Sequence, residues 1–296
     1  MNEDDAPLKD LKPENKKKRK EPPKPWGKRE RYFVLTVFLA TVLTAASLAV
    51  SARDFKLPGL SGFSFSKPDL NFSFFKEETI TIGKKVDAQK EKSEEIVKNF
   101  EEKTKPLSGT YALYVIDLTS GFSFGVNEEK TMQAASLIKL PVMLYAESKV
   151  DDAKIEAMGK KSDNAVFNEL VKKFGENNLN SYIVNDLGMT KTSIAENETT
   201  PKEMADLLKK IYDANNEKIL GFLTDTIFED WLAKGIPDGV RVAHKYGREV
   251  HIVNDAGIVY ADKPYIVVIM TQGVVEKEAD GILPELSKLV YDGMNR

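Results

Sequence analysis

Three short segments carry side chains whose types and spacing suit acyl transfer. In Ser136-Leu137-Ile138-Lys139 an alcohol and an amine stand three positions apart. On a helix such positions share a face, so the two groups would meet. A serine hydroxyl is a weak nucleophile near neutral pH and needs a base. A lysine serves when burial or a neighbouring positive charge keeps its amine neutral. A helix N-terminus near Ser136 would favour a developing anion through its dipole and free N–H groups. The flanking Leu137, Ile138, Leu140, Val142, Met143 and Leu144 predict a buried helix over about 135–148. A lysine buried there needs a reason, because an unpaired charge is costly. The same four residues also arise as a capping serine with a lysine snorkelling outward.

Ser162-Asp163-Asn164 is the second segment. The serine could relay a proton to a leaving group, and the asparagine amide could hold the lysine or the substrate. Equally, these are good helix-capping residues ahead of a helix over 165–171. The two uses are compatible, since a cap fixes a residue at a helix mouth. The third segment is His244-Lys245-Tyr246-Gly247, read as a strand entering a bend. Its lysine offers positive charge to an anionic substrate group, and its glycine lets a ligand approach the backbone. A solvent-facing edge strand has the same composition.

Together and in this order the segments resemble S-x-x-K, S-D-N and K-T-G, the signature of class A β-lactamases and penicillin-binding proteins. The resemblance extends to Asp117-Leu118-Thr119-Ser120-Gly121, Ala134–Met143, Ser162–Leu170, Thr199-Thr200-Pro201 with Met204-Ala205, and Asp255–Val259, and covers about residues 86–296. It implies that Ser136 is acylated and that Lys139 is the base or part of the proton relay. Ser162 would pass protons to the leaving nitrogen, and Asn164 would position Lys139 and substrate. Lys245 would steer a substrate carboxylate and tune Ser162. The backbone N–H groups of Ser136 and of Arg248, which follows Gly247, would form the oxyanion hole.

Two departures from the family pattern bear on function. Tyr246 stands where the family has a small threonine, and would narrow or reshape the carboxylate pocket. The stretch before Thr199 is short: only Leu187–Glu198 is available where class A enzymes carry the glutamate and asparagine that hold a deacylating water. Glu196 and Glu198 are there, but outside the family's pattern, and read as solvent-exposed acids. Slow deacylation follows, and with it weak or absent β-lactamase turnover.

The elements that must position these groups begin well into the chain. Residues 1–31 hold eleven basic and seven acidic side chains, including five consecutive bases at Lys16–Lys20, and read as a disordered cytoplasmic tail. Tyr32–Val50 is uncharged. At helical rise this run spans about 28 Å, close to the hydrocarbon core, so 32–51 is expected to be a single transmembrane helix. Its positive flank puts the N-terminus in the cytoplasm and the rest outside the membrane. Cleavage after a small-residue exit at Ala49–Ala52 is the competing reading. Residues 52–85 form a linker whose Phe63, Phe65, Phe72 and Phe74 alternate with polar residues, as a short hairpin or as a strip resting on membrane or domain.

The hydrolase-like domain is expected over 86–296. A helix is predicted at 86–103 and a hairpin at 111–117 and 122–126. Helices dominate 151–234, strands return at 241–244, 250–253, 258–260 and 265–271, and a last helix covers 281–294. This is an α/β class: an antiparallel sheet flanked by helices, with an all-helical lobe inserted between its N- and C-terminal strands. A cleft between the lobes is the natural site.

Composition narrows the chemistry. There is no cysteine, which excludes disulfides and thiolate sites, and only two histidines, which makes a metal centre or cofactor unexpected. Beyond the tail the chain is acidic, against nucleic acid as a partner. The expected function is a membrane-anchored, extracytoplasmic serine hydrolase or acyltransferase. Its substrate would be a peptide or amide, with peptidoglycan and β-lactams as candidates. A β-lactamase with a rearranged base and a non-catalytic penicillin-sensing module are the alternatives.

Overall fold

The computed structural model describes residues 28–52 and 82–296. The chain divides into two units between Glu77 and Glu78. In the first, helix α1 (Lys28–Ala52) holds the uncharged stretch. The apolar side chains described in it are exposed, Tyr32 and Phe33 at 70%. Among the described residues no helix is long and apolar enough to cross a membrane. The basic tail up to residue 27 and the Phe/Ser connector lie outside the described residues.

The second unit opens with α2 (Ile82–Thr104) and continues with β1 (Thr110–Asp117), β2 (Ser123–Val126) and β3 (Met132–Gln133). The helical lobe holds α3 (Lys139–Ala146), α4 (Asp152–Lys160), α5 (Asn164–Phe174), α6 (Glu176–Asn185), α7 (Pro201–Asp213) and α8 (Glu217–Phe222), with β4 (Glu198–Thr199) between α6 and α7. Strands β5 (Val242–Glu249), β6 (Ile252–Val259) and β7 (Tyr265–Gln272) and helix α9 (Glu276–Asn295) complete it.

Local signals explain the main turns. Asp117 Oδ1 accepts from the N–H groups of Thr119 and Ser120 at 2.8 and 3.1 Å, which turns β1 into β2. Thr200 caps α7, and Pro201 fills the first turn, where no N–H partner is needed. Glu276 and Glu278 sit in the first turn of α9, where the helix dipole favours acids, and start the helix five residues before the expected Gly281.

The five-stranded sheet runs β2-β1-β7-β6-β5, and all its pairs are antiparallel. Both faces are covered. Ala112, Ile116, Ala256, Ile258, Val268 and Met270 pack on the helical lobe. Leu113, Val115, Val253, Val267 and Ile269 pack on α2 and α9. Alternation along the strands sends successive residues into the two cores.

Two expectations near the functional segments need correction. The helix over 135–148 is a 3-10 turn, Ala135–Ile138, followed by the shorter α3. The left-handed backbone of Ala135, at φ 49°, sets off this turn. The strand expected to stop at His244 continues to Glu249, and the reversal comes at Val250-His251. The polar run Lys245–Glu249 lacks an apolar pattern, but its register with β6, from Val242↔Val259 to Glu249↔Ile252, is unbroken. Backbone pairing decides this strand, and pairing is invisible to side-chain periodicity.

Candidate active site

The turn that carries Ser136 is held by backbone. Met132 and Gln133 of β3 pair with Thr199 and Glu198 of β4. Ala134 N–H donates to the Asn197 carbonyl at 2.7 Å. From the sheet side, the buried Asn254 donates its amide to the carbonyls of Gln133 and Ala134, at 2.9 and 3.2 Å, and its Oδ1 accepts from Thr271 N–H. In a 3-10 turn positions i and i+3 are eclipsed, so Ser136 and Lys139 meet more directly than on an α-helix.

Lys139 is the centre of the site. Its amine is buried and lies 2.9 Å from Ser136 Oγ, 2.7 Å from the Ser162 carbonyl, 3.1 Å from Ser162 Oγ and 2.5 Å from Asn164 Oδ1. The two carbonyl oxygens can only accept. A neutral amine gives its two hydrogens to them and keeps a lone pair for a hydroxyl proton, which is the state a base requires. An ammonium would have only one hydrogen left for the two hydroxyls. Burial lowers the Lys139 pKa to about 8, against the opposing pull of Asp163 and Glu249. The aromatic ring of Phe167, one turn into α5 beyond Asn164, lies 5.8 Å from the amine.

Ser162-Asp163-Asn164 satisfies both readings of its sequence. Asp163 is the cap, its Oδ1 accepting from Val166 N–H at 3.0 Å. Ser162 takes a left-handed backbone, φ 54°, and this turns both its hydroxyl and its carbonyl onto Lys139. A non-glycine residue held in that region carries strain, which is common at functional sites.

On the opposite side is β5, the free edge of the sheet. Alternation puts Lys245, Gly247 and Glu249 toward the helical lobe, and His244, Tyr246 and Arg248 toward the other core. Gly247 is where the strand and the Ser136 turn touch: a Cβ there would stand 2.8 Å from Ser136 N. The glycine is therefore required by the protein's own packing. His244 N–H donates outward to the Leu223 carbonyl. By the period of two along a strand, the N–H of Arg248 also faces the open edge. Its neighbour Gly247 is the residue that meets Ser136 N. The Arg248 side chain is directed elsewhere, bonding Asp280 at 2.6 Å with its guanidinium 5.4 Å from the Trp231 ring.

Lys245 and Tyr246 differ from what the sequence suggests. Lys245 is fully buried, and its amine donates to the Tyr246 carbonyl at 2.7 Å. Burial holds its pKa well below the usual lysine range, and the Lys139 charge lowers it further. It stands close to Lys139 but makes no hydrogen bond to Ser162, and it is shut off from solvent. Tyr246 turns away from Ser136 and packs on Phe228 and Trp231, ring centroids 5.2 and 6.4 Å away. Beneath it His244 bridges Asp255, at 2.9 Å, and Glu229, at 3.2 Å. Burial alone would lower the His244 pKa, but these carboxylates outweigh it and raise the pKa to about 9. This buried charge pairing fixes β5 to β6 and to the segment after α8.

Of the two acids expected to be exposed in a loop, Glu196 is so, whereas Glu198 is half-buried in β4. Glu198 is engaged through its backbone in the β4 pairing. Neither side chain joins the hydrogen bonds around Lys139. Sequence reading missed Asn254, Asn197 and Glu249. Asn254 directly precedes the family-like segment Asp255–Val259, the one signal that could have drawn attention to it. Asn197 Nδ2 donates to Glu249 Oε1 at 3.0 Å.

Comparison with known proteins agrees with this arrangement. The sequence profile described as "Beta-lactamase enzyme family" matches residues 92–156 and 154–294. An ancestral class A β-lactamase superposes with a TM-score of 0.61 at 18% identity, over 67% of this chain and 99% of that one. The structure titled PBP-A gives 0.60 at 21% identity, over 70% and 95%. A β-lactamase from Xanthomonas campestris pv. campestris gives 0.61 at 17% identity, over 68% and 98%. At these identities the likeness is one of fold. No curated protein matches the chain.

Proposed function

Since the chain belongs to the β-lactamase enzyme family and has its serine hydrolase fold, we propose that it forms an acyl-enzyme on Ser136 with a peptide or amide of the cell wall, and turns over β-lactams slowly. The observation that carries this reading is the buried Lys139 amine, bonded at once to Ser136 Oγ, Ser162 Oγ and Asn164. In this reading Lys139 takes the Ser136 proton as Oγ attacks the substrate carbonyl. The N–H groups of Ser136 and Arg248 receive the developing oxyanion, where one donor contributes roughly 3 kcal/mol to barrier lowering. Ser162 hands a proton to the leaving nitrogen and recovers one from Lys139. Asn164 holds the lysine in place.

The weak β-lactamase component follows from the short stretch Leu187–Glu198, whose carboxylates stand apart from Lys139. Anchoring belongs to the same reading. The uncharged run 32–50 behind a basic tail would hold the catalytic unit on the outer face of the membrane.

A fluorescent penicillin tests the proposal. Covalent label on Ser136 in the wild type, absent in Ser136→Ala, is expected. Nitrocefin turnover should stay below the order of tens per second typical of efficient enzymes. Faster turnover would overturn the slow-hydrolysis component, and an unlabelled wild type would point to the non-catalytic module.

A further inference from the structure

We infer that Glu249, supported by Asn197, is the general base that activates the water resolving the acyl-enzyme. This rests on acylation of Ser136 as proposed above. An ester on Ser136 needs a water and a carboxylate to deprotonate it. Asp163 and Glu249 are the two acids whose charge acts on Lys139. Asp163 is committed as a helix cap to Val166 N–H. Glu249 is exposed and has one side-chain partner, the Asn197 amide at 3.0 Å.

Placement favours Glu249 independently. It lies two residues after Gly247 on β5 and on the same face, the face that meets Ser136 N. Two residues along a strand are about 6.6 Å, so Glu249 follows the Ser136 contact by one step on that face. Asn197 approaches from the other side. Its carbonyl holds Ala134 N–H, two residues before the nucleophile, and its left-handed backbone, φ 51°, turns the side chain to Glu249.

In the resulting step the Glu249 carboxylate takes one proton from water while the water oxygen bonds to the acyl carbon. The carbonyl electrons move to the oxyanion held by Ser136 and Arg248 N–H. As the intermediate collapses, the bond between the acyl carbon and Oγ breaks. The Glu249 carboxylic acid passes its proton by way of Lys139 to Oγ, and the released acid keeps the second hydrogen of the water. This base comes from the solvent-exposed end of a strand and not from the loop before Thr199, so release remains slow, as proposed above.

The test separates acylation from release, using a fluorescent penicillin and intact-mass measurement of acyl lifetime. Glu249→Gln keeps an acceptor for Asn197 but removes the basic carboxylate. It should lengthen the acyl half-life tenfold or more while the acylation rate stays within twofold. Asn197→Ala should lengthen the half-life several-fold. Normal labelling with an unchanged half-life in Glu249→Gln overturns this inference alone, and so does an effect confined to Asn197→Ala, since that would mark the pair as a loop tie. If the wild type takes no label on Ser136, the acyl-enzyme reading falls with it.

Discussion

At the scale of single residues, the proposed chemistry depends on keeping one amine neutral. Lys139 combines burial, which lowers its pKa to about 8, with hydrogen bonds that saturate a neutral amine. Below pH 8 the neutral fraction changes about tenfold per pH unit, so the acylation rate should rise with pH from 6 and level off near 8. A stopped-flow pH profile of penicillin labelling checks this, and a flat profile would exclude Lys139 as the base. Lys139→Ala should cut the acylation rate by roughly 10²–10⁴ with the fold retained. Labelling near the wild-type rate in that variant would contradict the assignment, provided circular dichroism shows the native fold. Ser136, Lys139, Ser162 and Asn164 were legible in the sequence because each bears a reactive group in a short motif. Glu249 and Asn197 were not, because an isolated acid and an isolated amide have no pattern until two distant segments meet.

At the scale of elements, the site is a contact between a 3-10 turn and an edge strand. The glycine of the third motif was read from sequence as room for ligand, whereas its Cβ direction meets Ser136 N at 2.8 Å. Gly247→Ala should therefore push β5 and the turn apart and disturb the oxyanion site proposed at the Ser136 and Arg248 N–H groups. The overpacking should cost on the order of 1–3 kcal/mol. A displacement near 1 Å can lower a rate by about 10²-fold. Thermal unfolding and labelling rates measure the two effects, and wild-type labelling in this variant would show that the contact relaxes without harm. The length of β5 escaped sequence reading for a related reason. Lys245–Glu249 has no apolar alternation, and it is a strand because its backbone pairs with β6 in unbroken register.

At the scale of the molecule, both cores are built from residues between Ile96 and Val290, one on each face of the sheet. The unit from Glu78 onward therefore carries its own hydrophobic stabilisation. A chain beginning at Glu78 should fold, label on Ser136 at the wild-type rate and appear in the soluble fraction, while the full chain sediments with membranes. Fractionation followed by labelling tests both halves, and a soluble full-length chain would remove the anchor from the functional reading. The sheet with an inserted helical lobe was legible because strand-like runs occur at both ends of the domain and helical periodicity fills the middle. The edge position of β5 was not, because strand order depends on which distant segments pair.

The amino-acid sequence by itself determined the groups on hand: an alcohol, an amine, a second hydroxyl and an amide, each in a local motif whose order along the chain resembles one enzyme family. It also determined the capping of α5 and α7 and the turn at Asp117, since these depend on contacts within a few residues. The tertiary structure alone decided the protonation-competent surroundings of Lys139, the burial of Lys245, the turn of Tyr246 toward Trp231, and the meeting of Glu249 with Asn197. Burial, electrostatic coupling and close backbone approach arise between segments far apart in sequence, and no local pattern of residues encodes them.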